Sequence, residues 1–520
     1  MIVRALAAAT AACPCLIGPS RPRRLNLSPR PAAPFMKRIL LQLLLACGLL
    51  VVLQLAPSTR AQSAGLHLAQ GILAGEVTQT TVILQTRLTA VTELTDGDVA
   101  GAPGTGRFEI ATNDSFRDAR RTAWLNATAQ GDFILKTQVA DLRPGTVYHY
   151  RVVYGPDQTR MKPSKVGQFK TLPSAQTAAP VSFILTSCLN YAFFHEGHRD
   201  RPGFQGADRM LGYPALDPML KLQPDFCIIN GDAVYYDHPV ATRAKTQPEL
   251  RRKWHEQYVQ GRFVKLFERV PTYWLKDDHD YRINDSDTTG DYEPSHELGI
   301  ATFREQVPIV SPADPKAVTY RTHRVGRDLQ IWYVEGRDYR SPNAMADGAD
   351  KTIWGAEQKA WLKRTLKESD ATFKVLVSPT PLIGPDDGSK KDNHVNVRGF
   401  RHEGEEFLAW LKANGVAPGQ FFVICGDRHW KYHSKHATGF EEFSCGALNE
   451  ENSRLGRAPG DPNSTDPQAL VQQLYTDKTP SGGFLRVAVQ PASGTTAARI
   501  EFTQHDDQGA SLYQHASSRR

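Results

Sequence analysis

Cysteine is scarce in this chain, with seven among 520 residues. Cys13, Cys15 and Cys47 lie in the first 61 residues, which leaves Cys188, Cys227, Cys425 and Cys445 for the body. Four thiols over so long a segment exclude a disulfide-built scaffold. Cys227 and Cys425 sit inside apolar runs ("FCII", "FVIC") and read as core thiols. Charge imbalance is missing as well. The formal charge of +7 comes from the N-terminus, where eight basic and no acidic residues precede Gln62. The remainder carries 54 basic against 55 acidic side chains and lacks the basic footprint that nucleic acid requires. No internal repeat is present, and there is no low-complexity tract beyond one short linker.

One long apolar run does occur. "MKRILLQLLLACGLLVVLQLAPSTRAQ", from Met36, has a basic start, an apolar core and small residues around Ala61, the pattern of an export signal cleaved near Ala61. A membrane anchor is the other reading, because Ile39 to Ala56 is just long enough to span. Residues 1–61 are therefore assigned as leader, with 1–35 as upstream sequence from an early start codon. The mature protein is expected outside the cytoplasm, periplasmic or secreted, as a monomer without stable membrane association.

Residues 62–172 carry short strand patterns ("TVILQTRL", "GRFEIAT", "FILKTQVADL", "VYHYRVVYG"). Period-two alternation puts Tyr148, Tyr150, Val152 and Tyr154 on one face. "DLRPGTVYHYRV" resembles the tyrosine-bearing corner of fibronectin or immunoglobulin-like sandwiches, so a small all-β domain is expected. The Pro- and Ala-rich segment 173–180 reads as a linker. From 181 to 510, apolar strands ("VSFILTS", "PDFCIING", "PTYWLKD", "DLQIWYVEG", "FKVLVSPTP", "QFFVICGD") alternate with helical stretches such as "QPELRRKWHEQYVQGRFVKLFER" and "GAEQKAWLKRTLKES". Strands apolar on both faces predict an α/β domain whose sheets are covered by helices. The C-terminal end reads as a closing hairpin or two, with 511–520 as a tail.

Chemistry gathers where these strands end. "FILTSCLN" delivers Cys188. "FCIINGDAVYYD" delivers Asp232, Tyr235, Tyr236 and Asp237. "YWLKDDHDYRIND" delivers Asp277, Asp278, His279, Asp280 and Asn284, and "FFVICGDRHW" delivers Asp427 and His429. In α/β sheets the loops at strand carboxyl ends converge on one crevice, so four distant segments are expected to meet there. Carboxylates, an amide and one His suit hard cations, while thiolate and phenolate suit a ferric ion.

This ordered set resembles the PhoD-type alkaline phosphatases, a branch of the calcineurin-like metallophosphatases. "VEGRDYRSP" and "WGAEQKAWLKRTL" resemble two further motifs of that family. The resemblance implies a layered α/β/β/α metallophosphatase domain behind a small fibronectin- or Ig-like sandwich. It implies a phosphoric ester hydrolase in which a metal-bound hydroxide attacks phosphorus in line. It also implies one ferric and two calcium ions, with other divalent metals able to substitute. Carried over by position, Cys188, Asp232 and Tyr235 hold the iron, Asn284, Asp427 and His429 complete the cluster, and Asp278 is a further ligand or catalytic group. Arg337 and Arg340 clamp phosphate oxygens, and His279 protonates the leaving group or orients a ligand. His394, in the basic and polar segment "KKDNHVNVRGF" that reads as a pocket lip, is a candidate substrate contact without motif support. His195, His198, His238 and His433 have no motif support. The chain departs from the pattern at Ala233, where an aromatic is usual, and in "DDHDYRIND", where only Asn284 keeps an Asn position. The expected substrate is a small phosphate ester. The alternatives are a phosphodiesterase on the same site or a cell-surface binding protein with a degenerate catalytic domain.

Overall fold

A computed structural model describes residues 65–199 and 201–519. The expected leader, residues 1–61, lies outside them. Two large sheets dominate. The nine-stranded sheet runs, edge to edge, Ser511–Arg519, Ala498–Asp506, Gly483–Gln490, Val181–Thr186, Phe226–Asn230, Thr272–Leu275, Ile72–Gly75, Val82–Arg87 and Ile134–Val139. The seven-stranded sheet runs Arg321–Val325, Leu329–Tyr333, Phe373–Ser378, Phe421–Cys425, Glu441–Cys445, Lys431–Lys435 and Gln472–Thr476.

Alternation inside the apolar strands builds the layers. Phe183, Leu185, Phe226 and Ile228 from one sheet share a core with Ile331, Val375, Val377, Phe422 and Ile424 from the other. Their neighbours Ile184, Cys227, Ile229 and Trp274 point the opposite way, against helices Gln247–Tyr258, Gly261–Phe267 and His296–Gln306. Trp332, Leu376 and Val423 likewise meet helices Gly355–Glu368 and Arg401–Ala413. Helix, sheet, sheet and helix therefore stack in four layers. This is why the strands show no polar face in the sequence. The stretch expected as one long helix is two, because Gln260 is extended (φ −61°, ψ 129°) and Gly261 begins the second. No helix among the described residues is long and apolar enough to cross a membrane.

A third, six-stranded antiparallel sheet centres on Gly104–Ala111 and Val147–Gly155. Tyr148, Tyr150, Val152 and Tyr154 are buried on one face of the latter strand. The Tyr148 hydroxyl accepts from the Arg143 amide at 2.9 Å, fixing the corner ahead of it. The N-terminal strands are shared between this sheet and the nine-stranded one. Gly75 pairs in parallel with Thr272, so three of them extend the nine-stranded sheet. Residues on both sides of the 173–180 segment belong to one compact unit. The expected tail also differs from the structure, because Ser511–Arg519 is the edge strand of the same sheet.

Two polar anchors fasten the N-terminal strands to the helices. Lys136 donates to the carbonyls of Arg304, Glu305 and Val307 at 2.8–2.9 Å. It thereby caps the helix end whose carbonyls lack partners and whose dipole favours a cation. Asp132 accepts from Arg87 at 3.0 Å and from Gln306 at 2.8 Å, and lies 2.7 Å from the His255 ring. The other His255 nitrogen lies 2.6 Å from Asp98. Burial works to raise the Asp132 carboxyl, but the His255 hydrogen bond and the His255 and Arg87 charges outweigh it and hold the pKa at about 2. The group is thus more acidic folded than unfolded. Its stabilisation is complete above the unfolded value of 3.8 and is lost as pH falls through about 2. Asp132→Asn is expected to cost about 2 kcal/mol at neutral pH, with the gap from wild type closing between pH 5 and pH 2. Melting temperatures of the two proteins across that range test this, and a pH-independent gap would contradict it.

Candidate metal centre

The parallel strands Val181–Thr186, Phe226–Asn230 and Thr272–Leu275 end beside one another, and Phe421–Cys425 of the facing sheet ends against them. Cys188, Asp232 and Asp427, each just past a strand, all have left-handed backbones, with φ of 58°, 54° and 60°. Such values are rare outside glycine and cost energy that the surroundings must offset. Glycine lets the tips crowd together. A Cβ on Gly231 would lie 2.6 Å from the Asp277 Cβ, and one on Gly426 would lie 2.5 Å from the Ser187 Oγ.

The result is a chain of overlapping ligand groups. Cys188, Asp232 and His429 bring their ligand atoms within 4.8 Å of one another. The same holds for Asp232, Asp278 and His279, for Asp277, Asp278 and Asp427, and for Asp278, Asp285 and Asp392. Asp232 belongs to two of these groups and Asp278 to three, so both stand at bridging positions. The Asp232 Oδ2 faces the Cys188 Sγ at 3.4 Å and the Tyr235 hydroxyl at 3.2 Å. Asn452 fixes this corner by donating to the Tyr235 hydroxyl and the Cys188 carbonyl, both at 3.0 Å.

Electrostatics mark the cluster as incomplete on its own. Burial, against the pull of His279, pushes the Asp232 carboxyl well above the carboxylate range, and burial does the same to Asp277 against Arg337. Burial also lifts the Cys188 thiol and the Tyr235 phenol, helped by the Asp232 charge. Asp278 moves the other way, because His279, Arg337 and Lys390 outweigh its burial. The Asp277 Oδ2, the Asp278 Oδ1 and both Asp392 carboxylate oxygens are buried without a hydrogen-bond partner in the chain. Buried carboxylate oxygens are normally paired or bound to a cation. Aimed oxygens together with thiol, phenol and imidazole therefore fit a set of metal ions.

The remaining site candidates occupy varied positions. Asn284 lines a cleft of about 520 Å³ together with Tyr235, His279, His429 and Arg454. His279 stacks on Tyr235 at 4.1 Å, and its Nδ1 is held by Asp237 at 2.7 Å. Arg337 faces no cleft. It is fully buried and donates to Asp277 at 2.7 Å and to the Ser286 carbonyl at 2.7 Å, so it balances carboxylates. Arg340 is buried against Phe400 and donates to the Asp392 carbonyl. His394 is buried beside Trp354 and lies 3.0 Å from Glu403, away from the cleft lining. Asp280 is no member of the ligand groups; it accepts from the Ala233 and Asp277 amides at 3.0 and 2.7 Å and ties two loops together.

Several participants had no signal in the motifs. Asp392 lies in the loop segment "KKDNHVNVRGF" and follows no strand tip. Asn452 and Arg454 follow no strand tip, while Arg428 sits within the last motif as a buried partner of Asp386 and Asp427. Arg454 is 37% exposed, stacks on Trp430 at 4.6 Å and pairs with Asp387 at 3.3 Å.

The PhoD-like phosphatase family model matches residues 183–496, and the model of the PhoD-like phosphatase N-terminal domain matches residues 54–173. Alkaline phosphatase D of Bacillus subtilis (strain 168) is 23% identical over 457 residues, covering 81% of this chain and 75% of the relative. A solved structure of PhoD superposes with a TM-score of 0.65 at 19% identity, over 87% of this chain and 89% of that one. The purple acid phosphatase PPD1 of yellow lupin (Lupinus luteus) superposes with a TM-score of 0.54 at 11% identity, over 86% and 74% of the two chains. Two sheets between helices, strand-tip carboxylates and these matches agree: the chain belongs to the PhoD-like phosphatase family and is a phosphoric ester hydrolase of metallophosphatase fold.

Proposed function

We propose that this chain is an exported phosphatase of small phosphate esters whose buried aspartate chain holds one ferric and two calcium ions. The observation that carries the reading is the row of buried carboxylate oxygens without a hydrogen-bond partner at Asp277, Asp278 and Asp392, two of which have the Arg337 guanidinium at 3.7 and 3.8 Å. Cys188, Asp232, Tyr235 and His429 hold the iron end in this proposal. Asp278, Asn284 and Asp427 hold the calcium end, joined by Asp277, Asp285 and Asp392. Such cations supply Lewis acidity, drawing charge from phosphate oxygens and making a water nucleophilic near neutral pH. Export rests on the signal-like run from Met36.

The chain's own groups do the positioning. His279, locked by Asp237 on one nitrogen and by the Tyr235 ring on its face, orients the Asp232 side of the cleft; its amide also reaches Asp232 at 3.4 Å. Asn452 keeps Tyr235 turned toward Asp232. Arg337 and Arg428 neutralise the carboxylates from below, where no substrate reaches them. Arg454 takes the phosphate-gripping role expected of Arg337 and Arg340. It lines the cleft, is part-exposed, and is braced by Trp430 and Asp387.

Chelation followed by desalting is expected to abolish hydrolysis of p-nitrophenyl phosphate, with activity restored by iron plus calcium. Asp232→Asn is expected to lower kcat at least about 100-fold and to reduce bound metal. Full activity in metal-stripped protein would overturn the reading, and bis-p-nitrophenyl phosphate run alongside reports the mono- against diester preference. Arg454→Ala is expected to weaken inhibition by inorganic phosphate about 10-fold with metal content unchanged. Unchanged phosphate inhibition would remove Arg454 from the substrate contacts.

A further inference from the structure

A second cluster of ligand-type side chains lies away from the strand tips. His433 is on strand Lys431–Lys435, Glu441 begins strand Glu441–Cys445, and His515 is on strand Ser511–Arg519. The first two belong to the seven-stranded sheet and the third to the edge of the nine-stranded sheet. The Glu441 Oε2 lies 3.3 Å from the His433 Nε2 and 3.1 Å from the His515 Nε2. All three ligand atoms fall within 4.8 Å of one another.

The contacts have the wrong geometry for hydrogen bonds. The His433 side chain is fully buried, yet its Nε2 has no hydrogen-bond partner, and neither has the Glu441 Oε2 facing it. Both imidazole nitrogens converge on this one carboxylate oxygen, at 3.3 and 3.1 Å. Zinc binds imidazole nitrogen and carboxylate oxygen at about 2.0–2.2 Å in a tetrahedron, which places adjacent ligand atoms about 3.4 Å apart. The two separations from the Glu441 oxygen, 3.3 and 3.1 Å, are close to that edge length.

The surroundings prepare the ligands. The His433 Nδ1 lies 3.0 Å from the Tyr513 hydroxyl, which can hold that nitrogen and leave the Nε2 toward the cluster. Tyr513 is itself fixed by stacking on Tyr475 at 4.5 Å, and His433 by stacking on Phe443 at 4.0 Å. Lys435, part-exposed, reaches only the other Glu441 oxygen, at 3.9 Å. The His515 side chain is 26% exposed, giving a path from solvent and room for a fourth ligand.

We propose that His433, Glu441 and His515 form a structural site for a divalent ion of the zinc class, separate from the phosphate-cleaving centre. Two imidazoles and one carboxylate suit zinc rather than calcium. The ion pins the C-terminal edge strand of one sheet to the hairpin of strands Lys431–Lys435 and Glu441–Cys445 in the other, so its loading stabilises the sheet pair there without serving hydrolysis.

The test compares the full-length holoenzyme with His515→Ala and with His515→Cys, which restores a zinc ligand. Each is equilibrated with zinc, freed of excess and assayed for bound zinc, melting temperature and kcat. Wild type and His515→Cys are expected to carry one zinc equivalent more than His515→Ala and to melt higher with zinc than without, at unchanged kcat. Equal zinc content in all three proteins, or the same zinc-dependent melting shift in His515→Ala, would overturn the proposal. Anomalous diffraction at the zinc edge on zinc-soaked wild-type crystals needs no variant. A peak between the three side chains supports the site, and none there alongside peaks at the strand tips overturns it.

Discussion

Mutual repulsion among buried aspartates is the constraint that shapes this molecule. Asp277, Asp278 and Asp427 converge within 4.8 Å, and Asp232 joins Asp278 at the same spacing. At an effective dielectric near 20, each like-charged pair at that distance costs about 3 kcal/mol before desolvation. Arg337 and Arg428 offset part of this from the buried side, and Lys390 adds a cation beside Asp285. Oxygens of Asp277, Asp278 and Asp392 still lack hydrogen-bond partners. In the proposed reading, cations among these carboxylates would complete the balance and supply the Lewis acidity for phosphate hydrolysis. Stability of the site and its chemistry are thus one problem with one solution.

The fold exists to impose that crowding. Parallel strands end in register, and the two-sheet core keeps the ends from separating. Left-handed backbones at Cys188, Asp232 and Asp427 turn each side chain inward, at a cost that only a rigid core can hold. Gly231 and Gly426 remove the side chains that would otherwise block the approach. The N-terminal strands add to this rigidity by joining the catalytic sheet through Gly75 and by capping a helix through Lys136.

Much of this was legible in the sequence, for physical reasons. Apolar strands without a polar face meant sheets covered on both sides, and a ligand-type residue straight after such a strand had to lie at the crevice. Cys188, Asp232, Asp278, Asp427 and His429 were readable on that basis. Asp392, Asn452 and Arg454 were not, since they come from loops with no periodic pattern, and only tertiary folding brings Asp392 to the ligand groups and Asn452 and Arg454 to the cleft. Arg337 shows the converse limit. A sequence identifies an arginine near carboxylates but not whether it faces substrate or the core, and here it faces the core. That three strands of the N-terminal all-β region also extend the nine-stranded sheet was not legible, because strand alternation carries no information on which sheet a strand will extend.

Elemental analysis of the purified, active enzyme addresses the central claim most directly. Cations balancing the aspartate chain predict iron together with at least one further metal ion in every active chain. An enzyme that hydrolyses phosphate esters at full rate while carrying no bound metal would contradict it.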